Sequence, residues 1–81
     1  MNYKLSKHAS DVVSSRDIKL EWLEYAVDHP TAQVTISSIE KHLFSTISQN
    51  ENRCLKVVVN PLTKTIITAY FDRNMRKRGC K

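Results

Sequence analysis

Three kinds of side chain in this 81-residue sequence can move protons, hold an anion or stack on a flat ring. His8 and His42 carry the imidazole suited to proton transfer, because its unperturbed pKa of about 6.5 lies near neutrality. Arg53 and Lys56 are cations that can balance the charge of a phosphate. Tyr70 and Phe44 offer rings on which an unpaired base can stack, and Thr68 can position a phosphate oxygen or a ribose hydroxyl. This set meets the needs of RNA cleavage by the 2′-hydroxyl. A base withdraws the proton, cations balance the charge growing on phosphorus, and the leaving 5′-oxygen is protonated. The chemistry calls for no metal or organic cofactor. On this reading His8 or His42 transfers the proton, Arg53 and Lys56 hold the phosphate, and Tyr70 or Phe44 takes the base.

Each residue also has a plainer reading. His8 falls in the first turn of a helix, off its apolar stripe, where a boundary histidine is ordinary. His42 can be an exposed strand or helix residue, and His29 the polar end of a helix. Arg53 and Lys56 can simply solvate one face of a sheet, and Tyr70 and Phe71 can be packing residues. If Arg16 and His8 share one helix they lie about 12 Å apart along its axis, too far to grip one phosphate oxygen together.

The elements that would position these groups follow from spacing. Ser6 can cap a helix running to about Ser15, with Ala9, Val12 and Val13 as its apolar stripe. Arg16 projects near that stripe, and is expected at the frayed end with its stem packed and its guanidinium reaching out. A second helix is expected from about Lys19 to Asp28, with Leu20, Leu23 and Val27 as its buried seam and Trp22 and Ala26 beside it. His29-Pro30 stops it.

The period then changes. Gln33 to Ser37 reads as a short strand with Val34 and Ile36 on one side. The segment 39–48 fits either a helix, with Ile39, Leu43 and Ile47 in line, or a strand. β-Branched and aromatic residues favour the strand, with a turn at Gln49–Asn52. Arg53–Val59 and Thr65–Phe71 are the clearest strands, joined through Asn60–Lys64. Pairing Val59 with Thr65, Val57 with Ile67 and Leu55 with Ala69 makes one apolar face for the helices. Lys56 then lies beside Thr68, and Cys54 beside Tyr70. Pairing Ile47 with Arg53 sets Phe44 beside Lys56 and His42 beside Val58. The open face gathers His42, Phe44, Lys56, Thr68 and Tyr70.

Composition narrows the classes. The chain is one small domain, assigned to residues 1–73, with a basic tail at 74–81. Domains of this size hide only about 60–65% of their unfolded surface, so stability is expected to be modest. No apolar run approaches the roughly 18 residues of a membrane span, and the N-terminus lacks the apolar segment of a signal peptide. Membrane and secreted readings are disfavoured, and a cytoplasmic location is expected. A single glycine excludes the phosphate-cradling loops of P-loop, kinase and dinucleotide-binding folds. Cys54 and Cys80 lack zinc-ligand spacing and read as free thiols. Residues 1–52 hold five Lys/Arg against seven Asp/Glu, whereas residues 53–81 hold eight against Asp72 alone. That split prompts a polyanionic partner, although a basic tail that merely aids solubility is as ordinary.

Taken in order, Lys7-His8-Ala9, Arg16-x-Ile18, the acidic second helix ending at Pro30, Arg53-Cys-Leu-Lys-Val-Val-Val-Asn60 and Thr68-Ala-Tyr-Phe-Asp-Arg73 form a pattern. It resembles a family of small toxin-like bacterial proteins, distantly similar to the barnase–EndoU–colicin–RelE group of metal-independent ribonucleases. The resemblance spans nearly the whole chain. It implies an α+β domain, RelE-like, with two N-terminal helices on a three- to four-stranded antiparallel sheet. It further implies the toxin of a toxin–antitoxin pair, acting on RNA and neutralised by an antitoxin protein. His8, Arg16, Arg53, Lys56, Thr68, Tyr70 and Arg73 are the positions that match, with His42 matching less closely. The resemblance thus implies His8, His42, Lys56 and Tyr70 as catalytic candidates and Arg16, Arg53, Thr68 and Arg73 as RNA-binding ones. Two departures stand out: Val12 replaces a second basic residue often found in the helix, and Asp17 replaces a glycine. Two rival readings stay open, a nucleic-acid or ribosome-binding module without catalysis and a protein-interaction domain. The RNA site, the antitoxin and the oligomeric state are not specified by the sequence.

Overall fold

The computed structural model describes residues 1–72. Helix α1 covers Lys7–Ser15 and helix α2 Leu20–Asp28; the strands are β1 Lys4–Leu5, β2 Ala32–Ser37, β3 Glu40–Ile47, β4 Arg53–Asn60 and β5 Thr65–Phe71. The architecture is α+β, with two helices and a five-stranded sheet in the order β1-β5-β4-β3-β2. The sheet is mixed, which corrects the expectation of three or four antiparallel strands. β1 adds to it in parallel, pairing Lys4 with Thr65 and Leu5 with Ile66. A two-residue strand is too short to show a period, and only its hydrogen bonds to the distant β5 reveal it: Lys4 N–H donates to the Lys64 carbonyl and Ser6 N–H to that of Ile66.

The helices lie where their local signals set them. Ser6 caps α1, its hydroxyl accepting from Ala9 N–H at 3.0 Å. α2 ends at His29, whose N–H donates to the Tyr25 carbonyl, one residue before Pro30. Ala9, Val12, Leu23 and Ala26 are buried, and the fully buried alanines let both helices approach the sheet closely. Leu20, expected in the seam, is 52% exposed instead. It is the first residue of α2, so no preceding turn carries it against the sheet. Ile18 takes the buried place between the helices, brought there by Asp17 in the left-handed region (φ 54°).

Within the segment 39–48, Glu40–Ile47 is strand, as β-branched density suggested, and its pairing with β4 matches the expected register: Ile47 opposite Arg53, Phe44 opposite Lys56, His42 opposite Val58. A 3-10 turn at Ser48–Asn50, then Glu51 and Asn52 both at φ 57°, reverses the chain. The β4–β5 register differs from expectation. Val57 lies opposite Ala69, Leu55 opposite Phe71 and Lys56 opposite Tyr70. A bulge leaves Ile67 extra between Thr68, opposite Val58, and Ile66, opposite Val59. Strict alternation assigned Ile67 to the core; the bulge instead buries Ile66 completely and leaves Ile67 at the surface. Asn60 Oδ1 accepts from Leu62 and Thr63 N–H, a local turn that sets Asn60 rather than Val59 opposite Thr65, a shift of one, and the bulge at Ile67 adds the second.

The core lies between the helices and one sheet face. Leu43, Ile47, Leu55, Val57, Val59, Ile66 and Ala69 meet Ala9, Ile18, Leu23 and Ala26 there. Trp22 closes one end, edge-on to Phe71 at 6.0 Å. Cys54, fully buried, is disulfide-bonded and not the free thiol expected. Sequence spacing carries no information on which sulfurs meet in space. Cys80, Arg73 and the basic tail lie outside the described residues. Among the described residues no helix is long and apolar enough to cross a membrane.

Candidate functional site

On the sheet face away from the helices, the strand registers set side chains in rows. One row runs Val34, His42, Val58, Thr68; the next runs Ala32, Phe44, Lys56, Tyr70. Alternation within each strand puts both rows on one face. The sheet therefore gathers His42, Phe44, Lys56, Thr68 and Tyr70, although the neighbour of Lys56 on β5 is Tyr70 and not Thr68. Strands lie about 4.8 Å apart and rows about 6.7 Å, so His42 is a diagonal neighbour of Lys56 and Thr68 stands about 10 Å across the sheet.

Two cations flank Tyr70. The Lys56 ammonium lies 5.3 Å from its ring centroid and 5.8 Å from that of Phe44. The Arg16 guanidinium lies 5.8 Å from the Tyr70 centroid, and its Nη1 donates to the Ala69 carbonyl at 3.1 Å. The negative face of an aromatic ring holds a cation without neutralising it. Arg16 is thus neither frayed nor loose: as the C-cap of α1 it reaches across to β5, 53 residues away. Among the described residues neither Arg16 nor Lys56 forms an ion pair with a carboxylate. The guanidinium keeps most of its five N–H donors for an anion. These cations form a fixed, unneutralised positive edge on the site.

His42 is held by a carboxylate the sequence reading passed over. Its Nε2 lies 2.7 Å from Glu40 Oε2. Residues two apart on a strand share a face, so Glu-x-His within a strand was the available signal. The pair fixes the ring and favours the tautomer with Nε2–H toward Glu40, leaving Nδ1 as the acceptor. The imidazole is partly covered, its side chain 17% exposed.

The other candidates do not all join this set. His8 is exposed on α1, and no hydrogen bond or ion pair ties it to the cluster among the described residues. Arg53 alternates onto the face of Leu55, opposite to Lys56, so the two cannot grip one phosphate from the same side. Phe44, expected to stack on a base, is buried with Cys54 against Ala32 and supports Lys56 from below. Arg73 lies outside the described residues. Among the described residues no group of three His, Cys, Asp or Glu side chains is arranged to hold a metal ion.

A cleft of about 240 Å³ lies elsewhere, lined by Glu21, Trp22, Tyr25 and Thr46–Gln49. It is walled by α2 and the end of β3, and shares none of the residues gathered around Lys56. Comparison with known proteins finds no matching family model, no matching curated protein and no matching solved structure.

Proposed function

We propose that this chain is the toxin of a toxin–antitoxin pair, a metal-independent endoribonuclease of RelE-like type that works in the cytoplasm and is silenced by an antitoxin. One observation carries the reading: Lys56 and Arg16, unneutralised, flank Tyr70 on the same sheet face as a histidine oriented by a carboxylate. An RNA phosphate drawn to Lys56 and Arg16 has His42 diagonally beside it. His42 Nδ1 takes the 2′-hydroxyl proton, and the 2′-oxygen attacks phosphorus. The ammonium and guanidinium balance the charge of the phosphorane. The 5′-oxygen leaves with a proton from the Tyr70 phenol, or from His8 if the RNA bends over α1. The products are a 2′,3′-cyclic phosphate and a free 5′-hydroxyl. Thr68 is spaced to orient a ribose or phosphate oxygen one row away. An antitoxin would cover this face with an acidic segment.

A second reading is supported by the partial cover of His42 and the burial of Phe44: a module of the same fold that grips RNA or the ribosome without cleaving it. Cleavage of a translated mRNA and of total RNA in EDTA separates the two. The assays are run with and without reductant, because Cys54 is disulfide-bonded. Wild type, His8→Ala and His42→Ala are compared. The expected result is specific cleavage that falls by roughly a hundredfold or more in His42→Ala. RNA left intact by folded protein, with and without ribosomes, sinks the ribonuclease. Salt-sensitive binding that survives both histidine changes then establishes the module.

A further inference from the structure

The two edges of the sheet are not alike. β1, at one edge, is two residues long and carries Lys4, a short, charged edge that resists further pairing. β2, at the other, has six residues, and every residue from Gln33 to Ile39 is exposed. Its outer side has no neighbouring strand among the described residues. Alternate N–H and C=O groups therefore point away from β3 with no strand to meet them. Between Pro30 and Glu40 the sequence holds no charge and no proline, the usual guards of an open edge. Val34, Ile36 and Ile39 are each about half exposed there. A bulge between Thr35 and Ser37 leaves Ile36 with no opposite residue on β3, so the regular edge is Ala32–Thr35 with Ile36 beyond it.

We propose that β2 pairs antiparallel with β2 of a second copy of this chain, joining two sheets about a twofold axis. The occupant follows from the pattern and the charge of the strand. With Val34 opposite its own copy, Ala32 falls opposite Ile36 of the second copy, and Gln33 opposite Thr35. Val34 then meets Val34 on the face of His42, and polar Gln33 meets polar Thr35 on the other, with Ala32 toward the bulged Ile36. Such self-complementarity is what a twofold interface requires, since each residue serves both sides. The edge is neutral, so two copies meet there without the repulsion that the rest of a chain of net charge +5 would impose. A foreign strand recognised by charge would find nothing on β2 to read.

The pairing has a consequence beyond mass. Val34 lies in the row of His42. Joining two such rows at Val34 makes the faces that bear Lys56 continuous, with the two His42 three strand spacings apart, about 14 Å.

Sedimentation of the full chain over a concentration series, with and without reductant, tests this, together with Val34→Lys. Val34 is 48% exposed, so the variant keeps its core, and circular dichroism checks its fold. The expected result is a reversible dimer for wild type and half that mass for Val34→Lys at every concentration. Backbone amides of Ala32–Ser37 gain protection from hydrogen exchange as the wild type is concentrated. A wild type that stays monomeric to its solubility limit overturns the proposal. So does a Val34→Lys protein that dimerises equally well, or a dimer lost with reductant, which is a cysteine cross-link. Edge amides protected only by an added antitoxin segment assign β2 to a foreign strand and also overturn it.

Discussion

The two faces of the central strand β4 differ by one residue of phase. Leu55, Val57 and Val59 are fully buried against the helices, while Lys56 and Val58, on the reverse face, keep part of their surface in water. The covered face is bonded by area and shape, and each fully buried Leu or Val contributes about 1.5–3 kcal/mol. The reverse face has only a small apolar patch, Phe44 and Cys54 against Ala32, and a few directed contacts, Lys56 between two rings and His42 against Glu40. A packed face and a candidate site are thus backed onto each other through a single backbone. A strand offers this division of labour because its period is two: stabilising residues need not compete with chemical ones for position.

The largest effect separates the faces by stability. Leu55→Ala leaves a cavity in the core beneath the helices and is expected to cost about 2–5 kcal/mol. Lys56→Gln, its immediate neighbour, is expected to cost less than about 1 kcal/mol, since partly exposed cation–π contacts are weak. Urea denaturation of both variants checks this; equal losses would abolish the contrast. The next effect reverses the order. On the proposed function, Lys56→Gln is expected to lower RNA affinity roughly tenfold and to reduce the slope of log affinity against log salt by about one. Filter binding across a salt series reads it, and a wild-type slope in the variant removes Lys56 from the phosphate contacts.

The smallest effect lies at a flaw of the covered face. Ser45 is buried there, and its Oγ has no hydrogen-bond partner among the described residues. A desolvated, unsatisfied hydroxyl is a net cost, so Ser45→Ala is expected to stabilise by about 1 kcal/mol. Thermal unfolding measures it; a destabilised variant would mean that the hydroxyl is satisfied after all.

What could be read before folding was local. The cap at Ser6, the stop at His29-Pro30 and the alternation of β3 and β4 act over a few residues, and the structure keeps each of them. The open face was legible to the same extent, because alternation together with the β3–β4 turn sets which side chains share a side. The support of His42 by Glu40 was not legible, because residues two apart share a side in a strand but not in a helix, and the segment 39–48 fits both periods.

The remainder depends on contacts between distant residues. The bulge at Ile67 answers to the fit of β5 against β4, and it exchanged Ile66 for Ile67 in the core. β1 becomes a strand only by borrowing hydrogen bonds from β5, some 60 residues away. Arg16, which the helical pattern made an awkward charge on an apolar stripe, finds its carbonyl and its ring on β5. Side-chain type and local period are properties of the chain and determined which groups were available. Which of them meet depends on closing loops of 50 residues and more around one core, and no short window of sequence contains that free energy.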